Sequence, residues 1–387
     1  MKEVEYDMEQ RAIADFVKQL YKKFDRAYWN EKAEKKEFPQ EMWDVMAENG
    51  YFGMAIPEKY GGSASKYSDI VVFLDELGQR GVFLLHIVGT FMDSILISHG
   101  NEEIKQKYLP QISKGANFAF AITEPDAGTN TFKMTTSAIK EGDYYKISGQ
   151  KLFITGADES QYMILVARTI SYDEVENKRD GISIFVVDSH SPGIKMQAQD
   201  VEMFTPEMQY TVFFDDVMVP AENLIGEENK GFDYLFDGLN MERIVIASYC
   251  QGLGKFALKK GVDYAKKRNL FGAPIGSYQS LQHPLTRAFI GLHMATMTTH
   301  QAATMLDAGK SPKLVGLYAN MAKLNASEQA FNACDISIQV HGGYGMTREC
   351  DVITISNMVR AMRVAPINNE MILNFIGEQY LKLPKSY

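Results

Sequence analysis

The segment Phe118-Ala-Phe120-Ala-Ile122-Thr123-Glu-Pro-Asp-Ala-Gly128-Thr129-Asn-Thr131 places hydroxyl side chains on both flanks of a tight bend. Pro125-Asp126-Ala127-Gly128 supplies the bend: proline presets one dihedral, and aspartate and glycine accept the rest. A turn by itself does not call for Thr123, Thr129 and Thr131 beside it. Hydroxyls and backbone amides around such a bend suit a planar heteroaromatic ligand rich in acceptors, such as a flavin. Gln150-Lys-Leu-Phe153-Ile-Thr155-Gly156 repeats the idea, with an aromatic ring and a hydroxyl separated by a single residue.

Other chemical signatures are weaker. Gly252-Leu-Gly254-Lys-Phe-Ala257 fits a dinucleotide-binding pattern. That pattern works only between a strand and a helix start, where backbone N–H groups face a pyrophosphate. Here it lies inside a helical run, so close helix packing is the better account. The histidines show no ligand spacing: His293 and His300 are seven apart, and no His-Glu-x-x-His occurs, so no metal site is expected. No Gly-x-Ser-x-Gly elbow is present.

The elements that must position these residues fall into three blocks, 1–117, 118–230 and 231–387. In the first, Ile13, Phe16, Val17 and Leu20 make a one-sided helical stripe. Pro39 and Gly50 bracket a second helix as start and stop residues do. Residues 68–78 and 90–99 read as further helices, and residues 57–63 as a loop. In the second block, runs rich in Val, Ile, Tyr, Phe and Thr are cut by turns at short intervals. Glu141-Gly142-Asp143 signals a hairpin, and residues 162–168, 181–188 and 210–217 read as strands. No helix-length period intervenes, which predicts an antiparallel β-domain. The third block returns to helix, with candidates at 242–267, 311–332 and 371–381. The expected architecture is therefore α+β: a helical domain, a middle antiparallel β-domain and a C-terminal four-helix-bundle domain.

The bulk composition sets outer limits. With 387 residues the chain can bury large cores, and its formal net charge of −9 argues against nucleic-acid or polybasic membrane binding. Three scattered cysteines, Cys250, Cys334 and Cys350, form neither a disulfide framework nor a zinc site, and they suit a reducing compartment. The charged N-terminus shows no secretory signal, and the longest apolar stretch, near 82–92, contains His86 and is too short for a bilayer. A cytoplasmic location without integral membrane association is expected.

The hydroxyl-rich segments resemble the acyl-CoA dehydrogenase family, whose middle domain carries Thr-Glu-Pro-x-Ala-Gly-Ser and aromatic-Ile-Thr motifs. The resemblance continues in Arg268-Asn-Leu-Phe271-Gly-Ala-Pro-Ile-Gly-Ser-Tyr-Gln279, in Gln339-Val-His-Gly342-Gly343-Tyr-Gly345 and in Asp215-Asp-Val-Met-Val-Pro220. The resemblance implies FAD as cofactor. Thr123 and Thr129, with Phe120, Ile122 and Gly128 around them, would contact the flavin, and Thr129 also the thioester end of the substrate. Phe153 would pack on the flavin ring and Thr155 would hydrogen-bond near its N5. Arg268, Phe271 and Gln279 would hold the pyrophosphate and adenosine of an FAD belonging largely to a neighbouring subunit, and Gln339, Gly342 and Gly343 would line the same cofactor groove. The implied assembly is a homo-oligomer, a tetramer by resemblance. The implied reaction converts an acyl-CoA to a trans-2-enoyl-CoA, as in fatty acid metabolism, with electrons passed to an electron-transfer flavoprotein.

The chain departs from the family pattern at the base. Most members carry a Glu in a C-terminal aromatic-Glu-Gly-Thr loop; the matching stretch here, Arg363-Val-Ala-Pro-Ile-Asn-Asn369-Glu370, puts Asn369 at that position. An amide cannot take a proton. A minority, resembling the isovaleryl-CoA and long-chain dehydrogenases, place the Glu on a helix directly before an Arg, as in Asn240-Met-Glu242-Arg243. Glu242 is the expected base, with Arg243 near it or near the CoA pyrophosphate. Glu370 is the competitor, and it could equally cap the helix that begins there. The competing readings of Glu242 itself are a first-turn glutamate favoured by the helix dipole and, for the whole chain, three alternatives: a flavin oxidase or monooxygenase, a dehydrogenase of carrier-protein-bound acyl groups, or a non-catalytic flavin or thioester binder.

Overall fold

The computed structural model describes residues 5–385. Six helices open the chain: α1 (Met8–Lys23), α2 (Arg26–Lys35), α3 (Gln40–Glu48), α4 (Tyr67–Gly78), α5 (Leu85–Ser98) and α6 (Glu102–Ser113). Asp7 starts α1 through a reciprocal capping box with Gln10, and the stripe Ile13, Val17 and Leu20 is buried. Asn101 caps α6 through its side chain. α5 starts at residue 85 rather than 90, because Glu207 accepts the Leu85 and His86 amides and so caps the first N–H groups of the helix from across the chain.

Strands β1 (Phe118–Ala121), β2 (Ser137–Glu141), β3 (Tyr144–Thr155), β4 (Tyr162–Arg168), β5 (Ile182–Asp188), β6 (Ile194–Gln199), β7 (Gln209–Pro220) and β8 (Leu224–Ile225) form one sheet. Its order is β6-β7-β3-β2-β4-β5-β8, with β1 laid beside β4. The pairing is antiparallel except that β1 runs parallel to β4 and β2 meets β4 in parallel at Ser137 and Arg168. β4 and β5 are covered on both faces: Ile164, Val166, Ile184 and Val186 pack towards Tyr108 and Leu109 of α6. Met163, Leu165, Phe185 and Val187 pack towards Tyr145 and Ile147 of β3. Alternation of buried residues to two cores is what a pleated strand between two layers requires.

The third block holds α7 (Gly231–Lys267), a hairpin of β9 (Asn269–Leu270) and β10 (Ala273–Pro274), then α8 (Gln279–Asp307), α9 (Pro312–His341), α10 (Val352–Ala361) and α11 (Asn369–Gln379). α7 packs on α8, α9 and α10, and on α4 and α5 of the first block. Gly252 and Gly254 serve this packing. A Cβ on Gly252 would lie 2.5 Å from the Asp75 carbonyl, and one on Gly254 2.9 Å from Ala330 Cα. The glycines therefore bring helix backbones together, and no phosphate-binding turn exists there. Among the described residues no helix is long and apolar enough to cross a membrane.

α7 begins eleven residues before the start expected at 242. Gly231 and Gly238 blur the sequence pattern, but both are packing sites. A Cβ on Gly238 would meet Leu96 side-chain atoms at 2.8 Å, and one on Gly231 the Ile182 carbonyl at 3.0 Å.

Candidate active site

Glu242 stands on α7 about three turns from the helix start. That removes the helix-dipole account of its position, since the dipole acts within the first turn. The side chain is half-buried, and its Oε2 is fully covered without a hydrogen-bond partner. Burial pushes its pKa up to about 7, while Arg243 and Lys323 pull it down. Arg243 is buried; its Nη1 donates to Asn240 Oδ1 at 3.0 Å, and its Nε has no partner. Burial lowers the Arg243 pKa to about 10 against the pull of Glu242.

The stretch before α11 places the competing residues differently. Asn369 is buried, where Lys323 Nζ donates to its Oδ1 at 2.8 Å and to the Ile367 carbonyl at 2.6 Å. The Asn369 amide donates in turn to Ser327 Oγ at 3.2 Å. Glu370 is exposed in the first turn of α11, and the cap is Asn368, whose side chain accepts the Met371 amide at 2.8 Å. Asn368 Nδ2 also donates to Thr129 Oγ1 at 3.1 Å, which ties this stretch to the hydroxyl-rich bend.

On the sheet, Glu124 is the anchor of that bend. It is buried and accepts the Thr135 and Thr136 amides at 2.6 and 3.0 Å and the Lys151 ammonium at 2.8 Å. Lys151, also buried, donates to the Ile122 carbonyl at 2.9 Å, so the pair fixes the backbone on both sides of Thr123. Between Lys151 and Ile154 the register with β7 shifts, and Phe153 takes a left-handed φ of +59°. The bulge turns the Phe153 ring outward, 56% exposed. Thr155 is held from β7 by Gln209, whose amide donates to Thr155 Oγ1 at 2.9 Å. Thr123, Phe120 and Ile122 are half-buried near this surface, and Gly128 and Thr129 are exposed.

A second group lies at the far ends of the long helices. Phe271 and Gly272 form a two-residue hairpin tip with φ of +50° and +84°. A left-handed turn of this kind favours glycine or asparagine, yet a phenylalanine occupies it and its ring is 90% exposed. Arg268 and Gln279 flank the hairpin and are exposed, as are Gln339, Gly342 and Gly343 at the end of α9. A Cβ at Gly342 or Gly343 would meet nothing within 4 Å.

The residues that hold these groups escaped the sequence reading, Lys323 under Asn369, Gln209 behind Thr155 and the Glu124–Lys151 pair at the bend, and so did Asp93 on α5. Asp93 is fully buried, and both its carboxyl oxygens lack partners. Its one signal in sequence is an acid inside the apolar run Phe91-Met-Asp-Ser-Ile-Leu-Ile97; its nearness to Glu242 arises only from packing.

The acyl-CoA dehydrogenase N-terminal, middle and C-terminal domain signatures match residues 7–116, 119–217 and 229–381. The chain belongs to the acyl-CoA dehydrogenase family, FAD-dependent oxidoreductases that act on CH–CH bonds. Among its relatives, the acyl-CoA dehydrogenase FadE12 of Mycobacterium tuberculosis is 37% identical over 382 residues, covering 98% of this chain and 97% of that protein. A subunit of the caffeyl-CoA reductase–Etf complex of Acetobacterium woodii is 34% identical over 340 residues, covering 84% and 88%. The fold matches butyryl-CoA dehydrogenase from Megasphaera elsdenii with a TM-score of 0.91 at 27% identity, covering 98% and 99%.

The chain's own residues fit the family's cofactor. An outward-facing ring on a strained bulge, a hydroxyl fixed beside it and an exposed ring on a strained hairpin are costly surface features without a ligand.

Proposed function

We propose that this chain abstracts the α-proton of an acyl-CoA thioester with Glu242, yielding a trans-2-enoyl-CoA. The observation that carries the reading is the Glu242 carboxyl, half-buried on α7 with an unpartnered oxygen, while Glu370 stands in solvent. A base is most effective when its pKa lies near working pH, and burial brings Glu242 to about 7. Lys323 holds Asn369 and the Ile367 carbonyl, so the stretch that carries the base in other members is here a fixed wall. Arg243, its Nε unpartnered, would steady Glu242 or an anionic part of the substrate.

FAD, when bound, supplies the acceptor for the β-hydrogen leaving as hydride. Thr123, Gly128, Thr129, Phe153 and Thr155, with Phe120 and Ile122, would hold its ring. Arg268, Phe271 and Gln279 would hold the pyrophosphate and adenosine of an FAD reaching from a second subunit, with Gln339, Gly342 and Gly343 lining the same groove. A homo-oligomer, a tetramer on this reading, is supported by an exposed apolar stripe on α8, Ile290, Met294 and Met297, which are 51%, 59% and 60% exposed. An electron-transfer flavoprotein as acceptor is supported by the relative named as part of an Etf complex. A cytoplasmic setting fits three free, buried cysteines.

Anaerobic titration of the FAD-loaded protein with straight and branched acyl-CoAs tests this reading. Bleaching of the flavin absorbance by some member of the panel is the expected result. A flavin that no acyl-CoA bleaches would overturn it. Mixing reduced protein with air-saturated buffer separates a dehydrogenase, which reoxidises slowly, from an oxidase.

A further inference from the structure

Asp93 lies in α5 within the apolar turn Phe91-Met-Asp-Ser-Ile-Leu-Ile97. Its polar neighbours are satisfied within their own helix: Thr90 Oγ1 donates to the His86 carbonyl and Ser94 Oγ to the Phe91 carbonyl, both at 2.9 Å. Asp93 has no such outlet. Both its oxygens are buried and unpartnered. No cation among the described residues pairs with Asp93: Lys323 is turned to Ile367 and Asn369 and Arg243 Nη1 to Asn240, while Arg243 Nε, itself unpartnered, makes no hydrogen bond to it. A buried carboxyl with both oxygens orphaned is a costly arrangement unless something outside the chain completes it.

Its position puts it beside the candidate active site. A Cβ on Gly89, one turn earlier, would lie 3.5 Å from Asp93 Oδ2 and 3.7 Å from the Phe118 carbonyl. The carboxyl therefore leans towards β1, the strand that leads to Thr123. Met92 and Leu96 pack against Gly238, one turn before Glu242 on α7, and the charge of Glu242 acts on Asp93. Gly238 and Glu242, four residues apart, share one face of α7, so the two acids flank one seam between α5, α7 and β1.

We infer that Asp93 is a specificity residue of this site, receiving an acyl chain that carries a hydrogen-bond donor, a hydroxyl or a protonated amine, in preference to a plain alkyl chain. The inference rests on the reading of Glu242 as base for an acyl thioester. A plain chain would bury both oxygens against hydrocarbon. A hydroxyl can donate to the carboxyl and accept from it when neutral, and an ammonium can pair with it when ionised. Burial and the Glu242 charge hold the Asp93 carboxyl well above the usual range, so the neutral form and a hydroxyl meet without a change of charge.

The test uses the FAD-loaded protein, its Asp93→Asn and Asp93→Leu variants, and CoA esters of matched length from four to eight carbons: unsubstituted, ω-hydroxy and ω-amino. The readout is the second-order rate of anaerobic flavin bleaching, with FAD content as the check on folding. The natural chain should prefer a hydroxy or amino ester over its alkyl counterpart by at least roughly tenfold, as sites built around a polar group do. Asp93→Leu should reverse that preference. Asp93→Asn, nearly isosteric, should keep the hydroxyl preference and lose any amine preference, which keeps the test intact if the leucine variant does not fold. Equal rates on all esters, or an alkyl preference in the natural chain, would overturn the inference while leaving the proposed reaction standing. Bleaching by none would remove both.

Discussion

Lys323 and Asn369 are joined inside the C-terminal bundle, the ammonium donating to Oδ1 at 2.8 Å. Asn369, expected from the sequence at the family's usual glutamate position, is thereby a structural amide, and the charge that holds it also acts on Glu242. Replacing Lys323 by Met should have two effects. The Ile367 carbonyl loses the Lys323 donor, at about 1–3 kcal/mol for a buried group left unpaired, while Asn369 Oδ1 keeps only the Ser327 hydroxyl at 3.3 Å. Glu242 loses a neighbouring cation, so its pKa rises. A pH–rate profile of flavin bleaching should show its acid limb moved to higher pH in Lys323→Met, and an unmoved limb would contradict the coupling.

The pH dependence of stability follows from the same group. The carboxyl of Glu242 is raised to about 7 in the folded chain, above the ordinary glutamate value of about 4.3. Between these values the folded state binds the proton more tightly than the unfolded one, so its contribution to stability falls as pH rises, by at most roughly 1.4 kcal/mol per pH unit. Glu242→Gln should abolish this loss. Urea unfolding at pH 5 and pH 8 should show the variant gaining on the natural chain at the higher pH; a constant difference would contradict the raised pKa.

The Glu124–Lys151 pair should behave as a buried ion pair. Burial lowers the Lys151 pKa to about 8 against the pull of Glu124, and Glu124 is lowered because Lys151 and hydrogen bonds from Thr135 and Thr136 outweigh its own burial. Lys151→Met leaves an uncompensated buried carboxylate and should cost about 3–5 kcal/mol. The double change with Glu124→Gln should cost less than the sum of the two single changes. Denaturant titration of all three variants checks this, and simple additivity would show that the two groups act separately.

Phe271 separates backbone strain from ligand contact. Phe271→Gly relieves a left-handed residue and should leave stability unchanged or raised by about 1 kcal/mol. It also removes the exposed ring, so FAD should dissociate more readily. Thermal unfolding together with FAD release on dilution reads both effects. Retention of FAD equal to that of the natural chain would remove Phe271 from the cofactor site.

Much of this was legible in sequence because it is local. The bend at Pro125–Gly128, the ring–hydroxyl pair at Phe153 and Thr155 and the acid before Arg243 are all carried by contiguous residues. The start of α7 was not, because Gly231 and Gly238 read as breakers until the neighbouring Leu96 and Ile182 are seen to need their space. Nor could sequence order Glu242 against Glu370 by burial, since one acid lies under other helices and the other in solvent only once the chain has folded. Lys323 and Gln209 are far in sequence from Asn369 and Thr155, which they hold, and Asp93 is far from Glu242, so no spacing announces them.

The central claim is tested by two isosteric changes compared side by side. Glu242→Gln and Glu370→Gln are purified with FAD bound and mixed anaerobically with an acyl-CoA that bleaches the natural chain. The account predicts that Glu242→Gln keeps its yellow flavin and loses bleaching by several orders of magnitude, while Glu370→Gln bleaches at the natural rate. Bleaching that survives in Glu242→Gln and vanishes in Glu370→Gln would contradict it.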